Sequence, residues 1–172
     1  MNDDPKQNLA IGVFGLPGTG KTTFARRLAD ELEALHLNSD ILRSEMDLRG
    51  RYDPETKARI YRELLDRCRR ALRSGETVVV DATFYRESLR RDYEELVDEE
   101  GRELMWIELQ ASESTIRKRV ETKRAYSEAD FEVYKKIRKE FEELSRPHLV
   151  LSSDQMDLPD MIAAALKHLG RH

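Results

Sequence analysis

Apolar residues along the chain fall into two alternating patterns. Leu9-Ala10-Ile11-Gly12-Val13-Phe14, Thr77-Val78-Val79-Val80, Leu104-Met105-Trp106-Ile107-Glu108-Leu109 and His148-Leu149-Val150-Leu151 are short and nearly continuous, as expected of strands buried on both faces. A shorter stretch from Leu37 to Ser39 predicts one more strand. Between these runs the apolar positions recur at helical spacing. Tyr61, Leu64, Leu65, Cys68 and Leu72 form one stripe, opened by Asp53 as cap with Pro54 in the first turn and closed at Gly75. Helices are also predicted from Thr22 to about Leu35, from Glu87 to Glu99 and from Met161 to Leu169. Ser127 with Asp130 resembles a capping box, and the helix it opens puts Phe131, Tyr134, Ile137, Phe141 and Leu144 on one face. Strands alternating with helices predict an α/β fold: a five-stranded, doubly wound parallel sheet with helices on both faces. In such sheets ligands bind at the carboxyl ends of the strands.

The strongest local signal sits at one of those ends. Gly15-Leu16-Pro17-Gly18-Thr19-Gly20-Lys21-Thr22 fits G-x-x-x-x-G-K-[ST], with an apolar strand before it and a helical segment after it. Its backbone N–H groups can curl around phosphate oxygens, assisted by the positive end of the helix dipole. Gly15, Pro17, Gly18, Thr19, Gly20, Lys21, Thr22 and Thr23 are therefore the expected nucleotide-binding residues. Lys21 is expected on the β- and γ-phosphates and Thr22 on Mg²⁺. The plain alternative is a glycine turn beside a stray lysine, which the flanking strand and helix argue against.

Two carboxylates fall just past neighbouring strands, Asp40 after the second and Asp81 after the third. Phosphoryl transfer to an alcohol needs a group to accept the hydroxyl proton and an acidic group near Mg²⁺. Asp40 is the expected base and Asp81 the expected metal-side carboxylate, although the two could exchange roles; a helix cap is the simpler alternative for either. Asp81 is followed by Ala82, so the acidic pair that activates water in many P-loop ATPases is absent. No Asn-Lys-x-Asp is present to read guanine. Arg117, Lys118, Arg119, Lys123 and Arg124 cluster where a lid would close over the migrating phosphoryl, and Arg119 and Arg124 are the preferred members. The Lys135–Lys139 run is interleaved with glutamates and reads as solvated surface. His36 and His148 border strands and read as packing residues.

Bulk properties narrow the class. A chain of 172 residues suits one domain, residues 1–172 with a short helical lid at about 117–130 and loose ends near 1–7 and 170–172. No apolar run approaches the roughly 20 residues a membrane helix needs, and the N-terminus has no signal-peptide character, so a cytoplasmic protein is expected. The lone Cys68 lies on an apolar stripe and reads as buried. With 30 Lys+Arg against 34 Asp+Glu the net charge is −4, which disfavours nonspecific nucleic-acid binding through the overall field but leaves room for a local basic groove.

Four segments carry a resemblance over residues 9–154 to the small P-loop kinases grouped around polynucleotide 5′-kinase, gluconate kinase, adenylylsulfate kinase and the zeta toxins. They are Gly15–Thr23, Ser39-Asp40-Ile41-Leu42-Arg43, Val80-Asp81-Ala82-Thr83, and Arg119–Arg124 followed by Ser127-Glu128-Ala129-Asp130. The resemblance implies Asp40 as general base on the acceptor hydroxyl and Arg43 as holder of a substrate phosphate. It also matches Arg90 to an arginine of bacterial polynucleotide kinases and Ser152-Ser153-Asp154 to the loop that lies against adenine, which makes Asp154 a nucleotide-binding candidate. Phe84 departs from the polynucleotide kinases, which tend to carry Asn there.

The expected activity is therefore transfer of the γ-phosphate of ATP, with Mg²⁺, to a hydroxyl group. Two acceptors stay open. One is a nucleic-acid 5′-hydroxyl approached along Arg86, Arg90 and Arg91. The other is a small hydroxylated metabolite, a sugar or an antibiotic, favoured by the acidic balance and Phe84. A nucleotide-dependent switch without phosphotransfer is the rival from another class. Oligomeric state is not legible in the sequence.

Overall fold

A computed structural model describes residues 9–122 and 128–171. Its elements run β1 (Leu9–Phe14), α1 (Lys21–Leu32), β2 (Leu35–Asn38), α2 (Ser39–Glu45), α3 (Pro54–Arg73), β3 (Val78–Asp81), α4 (Glu87–Glu99), β4 (Glu103–Gln110), α5 (Glu113–Glu121), α6 (Glu128–Glu140), β5 (Leu149–Ser152) and α7 (Leu158–His168). The five strands are all parallel, in the order β2-β3-β1-β4-β5. From the central β1 the chain goes first to the edge at β2, returns to β3, then crosses to β4 and out to β5, and the doubly wound sheet expected from the alternation is present.

Strand pleating divides the core. Leu9, Ile11 and Val13 face α1 and α7, packing with Phe24, Leu28, Ile162 and Ala165. Ala10 and Phe14 face the other way, toward Ile60, Leu64, Cys68 and Leu72 of α3 and Tyr93 and Leu96 of α4. Gly12 is required on that face, because a methyl there would overlap the ring of Trp106, which lies across β1. Trp106 contacts Phe14, Phe84 and Tyr93 edge-on, a joined aromatic cluster beneath the carboxyl ends of β1 and β3.

Local chemistry explains the element ends. Asp53 caps α3 by accepting from Thr56 N at 3.0 Å, with Pro54 in the first turn. Ser112 caps α5 and Asp157 caps α7. Cys68 is buried, and that burial pushes its thiol up to about 12. A satellite cluster of Ile116 and Val120 on α5 with Phe131 and Tyr134 on α6 rests on Leu16 of the loop after β1. Lys123, Arg124 and the predicted Ser127 cap lie outside the described residues, as do the side chains of Glu128 to Asp130. Among the described residues no helix is long and apolar enough to cross a membrane.

Candidate active site

The loop Gly15–Gly20 leaves β1 and enters α1 at Lys21. Gly15 stands where a methyl would overlap the Leu109 carbonyl oxygen and has φ +145°, so no larger residue fits this turn against β4. Thr19, almost fully buried, donates from Oγ1 to Leu16 O at 2.8 Å, and Lys21 Nζ donates to the same carbonyl at 2.9 Å. The side chains thus brace the loop from within and Gly15 N donates to Thr83 O at 3.4 Å, in a curl of the kind whose remaining N–H groups can hold an anion.

Beside it, the end of β3 carries Asp81, 1% exposed. Its Oδ2 accepts from Asn38 Nδ2 at 2.7 Å and lies 3.1 Å from His36 Nε2. Oδ1 is buried with no hydrogen-bond partner. A buried carboxylate oxygen left unpaired is costly unless something else occupies it. Asn38 Nδ2 also donates to Thr22 Oγ1 at 3.2 Å, so the residues expected at Mg²⁺ are already linked. An unsatisfied carboxylate oxygen beside a linked P-loop hydroxyl fits a divalent cation bound mainly through nucleotide phosphates.

At the end of β2, α2 begins. Its cap is Asn38, which accepts from Ile41 N at 2.8 Å; Asp40 lies in the first turn and is not the cap. Asp40 has a side chain 75% exposed and pairs through Oδ1 with Arg43 Nη1 at 2.6 Å. Arg43 is its opposite in exposure: its guanidinium lies 4.6 Å over the Tyr52 ring, and its Nε is buried and unpaired. Strands β2, β3 and β1 are neighbours, so the P-loop, Asp81 and the Asp40–Arg43 pair share one edge of the sheet.

A family profile described as an AAA domain matches residues 11–144, most of the chain. The chain belongs to the AAA domain family. Among its relatives a protein of Aeropyrum pernix, named "Probable adenylyl-sulfate kinase", is 28% identical over 158 residues, 87% of this chain and 85% of the relative. The Mycobacterium tuberculosis APS kinase CysC, solved in complex with AMPPNP and APS, superposes with a TM-score of 0.75 at 17% identity, covering 95% of this chain and 98% of that one. A gluconokinase from Sinorhizobium meliloti 1021 gives 0.72 at 19% identity, with 95% and 93% covered. The fold is that of the small P-loop kinases.

On this AAA domain several sequence expectations change. Arg90 lines no approach channel. It is fully buried, donating from Nη1 to Phe84 O at 2.7 Å and from Nη2 to Glu142 O at 2.6 Å, with Glu87 beside it. Arg86 pairs with Glu140 at 3.1 Å. Phe84, read as bearing on the acceptor, is fully buried between Tyr61, Tyr93 and Trp106, at φ +43°. Asn tolerates that left-handed backbone better than an aromatic residue. The departure from the polynucleotide kinases therefore concerns backbone and core rather than the acceptor.

Arg119, expected over the γ-phosphate, donates from Nη1 to Gly18 O and Ser153 Oγ, both at 3.0 Å, and from Nη2 to Ser153 O at 3.2 Å. It fastens α5 to the P-loop and to the loop after β5. Asp154 uses its carboxylate on Ser112 N at 2.8 Å, which holds it below the usual carboxylate range. Ser153, not Asp154, reaches the P-loop, through Thr19 O at 2.6 Å. Arg117 stacks 4.2 Å from the Phe131 ring centroid. His148 pairs with Glu108 at 2.8 Å, beside a cavity of about 600 Å³ between α6 and the ends of β4 and β5. Asn38 and His36 are the site residues that pattern reading missed. Asn38 carried one signal, the strong preference of Asn for helix caps.

Proposed function

We propose that this protein transfers the γ-phosphoryl group of ATP to a hydroxyl of a small molecule. The observation that carries the reading is the common edge of β1, β3 and β2, where the P-loop, the orphaned Asp81 Oδ1 and the exposed Asp40 stand side by side. The P-loop N–H groups hold the β- and γ-phosphates, and Lys21 exchanges the Leu16 carbonyl for phosphate oxygen. Mg²⁺, held by Thr22 and through Asp81 Oδ1, neutralises phosphate charge when bound. Asp40 takes the acceptor proton as the hydroxyl oxygen attacks phosphorus; the bond from phosphorus to the β,γ-bridging oxygen breaks and ADP leaves. Arg43 orients the acceptor. Arg119 supports the nucleotide from the P-loop side and Arg124 completes the lid over about 117–130. The loop Ser152–Asp154 borders the base, and residues 1–172 act as one domain in the cytoplasm.

Two features support a small acceptor over a nucleic-acid 5′-end. Arg90 is withdrawn from the surface and Arg86 is paired with Glu140, so two of the three arginines expected along a nucleic-acid approach are engaged elsewhere. The relatives named for their acceptors, the adenylyl-sulfate kinase and the gluconokinase, also support a small molecule.

The test is phosphotransfer from γ-labelled ATP with Mg²⁺ to a pooled metabolite panel and, in parallel, to a 5′-hydroxyl oligonucleotide, with Asp40→Asn as control. Label in the metabolite pool, reduced by about 10²–10⁴-fold in Asp40→Asn, is expected for a general base. Label on the oligonucleotide alone would overturn the acceptor assignment. Bound ATP with no transfer to either would favour the switch.

A further inference from the structure

Asn38 is the one side chain among the described residues that hydrogen-bonds to the P-loop threonine, the metal-side carboxylate and the base-bearing helix together. Its Nδ2 carries two hydrogens, and both are used: one toward Asp81 Oδ2 at 2.7 Å and one toward Thr22 Oγ1 at 3.2 Å. Its Oδ1 accepts from Ile41 N at 2.8 Å and so starts the helix that carries Asp40 and Arg43. The residue is 6% exposed, which removes water as a competing partner. Its neighbours fix which end of the amide is which. Ile41 N can only donate and a carboxylate can only accept, so the orientation has one solution. Aspartate could cap the helix but would set a second carboxylate against Asp81; serine could cap it but is too short to reach Asp81 and Thr22.

We propose that Asn38 is a positioning residue that fixes the metal-side pair, Thr22 and Asp81, in register with the base on α2. The inference rests on the proposed ATP and Mg²⁺ site. By occupying Asp81 Oδ2 together with His36, Asn38 leaves Oδ1 as the oxygen free to face the cation or its water. By donating to Thr22 it fixes the rotamer of the hydroxyl and uses one lone pair, keeping the other for metal. The same rigid amide then sets where α2 begins, and so the distance from Asp40 to the phosphates. Outer-shell groups of this kind act by orienting ligands rather than by touching metal or substrate.

The experiment uses the full chain with a fluorescent ATP analogue, its affinity measured in EDTA and across a MgCl₂ titration, with thermal melting alongside. Asn38→Ser keeps an acceptor for Ile41 N but loses both amide donations; Asn38→Ala loses all three contacts. Binding in EDTA is each variant's internal reference. Both variants are expected to raise the half-saturating Mg²⁺ by about tenfold or more, within the roughly 10–100-fold range for groups that orient metal ligands, while Asn38→Ala alone melts well below the parent. A Mg²⁺ midpoint in Asn38→Ser within about twofold of the parent overturns the proposal, since it falls well short of that range. So does a shift that follows the melting temperature from Ser to Ala, or loss of cooperative melting in both, because either reduces Asn38 to a structural cap. A parent protein whose ATP affinity ignores Mg²⁺ would count against the proposed site itself, so the two failures are distinguishable.

Discussion

Replacing Arg90 by Met tests whether this cation is a latch or a ligand. In the structure the guanidinium ties its own helix α4, through Glu87, and the nearby backbone at Phe84 to the chain leaving α6, 52 residues on, through Glu142 O. It also lies 5.6 Å from the Phe14 ring centroid. Met fills much of the same volume but leaves two strongly bonded carbonyls without donors. Each buried group so orphaned costs about 1–3 kcal/mol. Glu87 keeps Arg146 at 2.8 Å, so its carboxylate is not stranded. Apolar burial by Met offsets part of the loss, which leaves a net destabilisation of about 3 kcal/mol, as for other broken buried charge contacts. Urea unfolding of the parent and the variant is the assay. With a slope of about 2 kcal/mol/M the midpoint should fall by roughly 1.5 M. Arg90→Lys should fall nearly as far, because an ammonium lacks the planar fork that serves two carbonyls at once. Midpoints in both variants within about 0.3 M of the parent would refute the latch, being close to the error of such extrapolations. Weakened, salt-sensitive oligonucleotide binding with unchanged stability would restore the channel reading.

Gly15→Ala should abolish ATP binding in equilibrium titration, because the added methyl collides with the Leu109 carbonyl at a backbone angle alanine resists. Arg119→Ala should weaken ATP by roughly 10-fold, about 1.4 kcal/mol, by freeing Gly18 O and Ser153 from α5; calorimetry reads it, and unchanged affinity would leave Arg119 a surface residue. Alkaline pH should destabilise the fold. Burial pushes the Cys68 thiol and the Tyr61 hydroxyl each up to about 12, above the ordinary values of 9.0 and 10.0. Between those values the unfolded chain loses protons that the folded chain retains, so stability is intact below pH 9 and falls as pH rises. The loss is on the order of 1 kcal/mol from Cys68 alone by pH 10. Urea midpoints measured at pH 8 and pH 10 check the sign, and Cys68→Ala should reduce the slope. For the same reason native Cys68 should resist alkylation at pH 8 until the chain is unfolded.

The order of the five strands and of α1, α3, α4, α6 and α7 was legible in the sequence because burial on two faces and burial on one write different periods into it; the short α2 and α5 were not predicted. The P-loop was legible because its chemistry is carried by consecutive residues. The aspartates could be placed at strand ends for the same reason: Asp40 and Asp81 each follow an apolar run. What the sequence could not hold was the pairing between segments. Asn38 reads as the last residue of a strand until β2 lies beside β3 in register and brings it to Asp81. Arg90 reads as a surface cation of a charged helix until the chain after α6 returns and offers it carbonyls. Phe84 reads as a departure that bears on the acceptor until Trp106 crosses Gly12 and closes the core over it. Arg119 reads as a lid cation until the loop after β5 supplies Ser153. Periodicity and motif are local, so one dimension determines them. Whether a charged side chain meets solvent, substrate or a distant carbonyl depends on which segments pack together, and only the tertiary structure decides that.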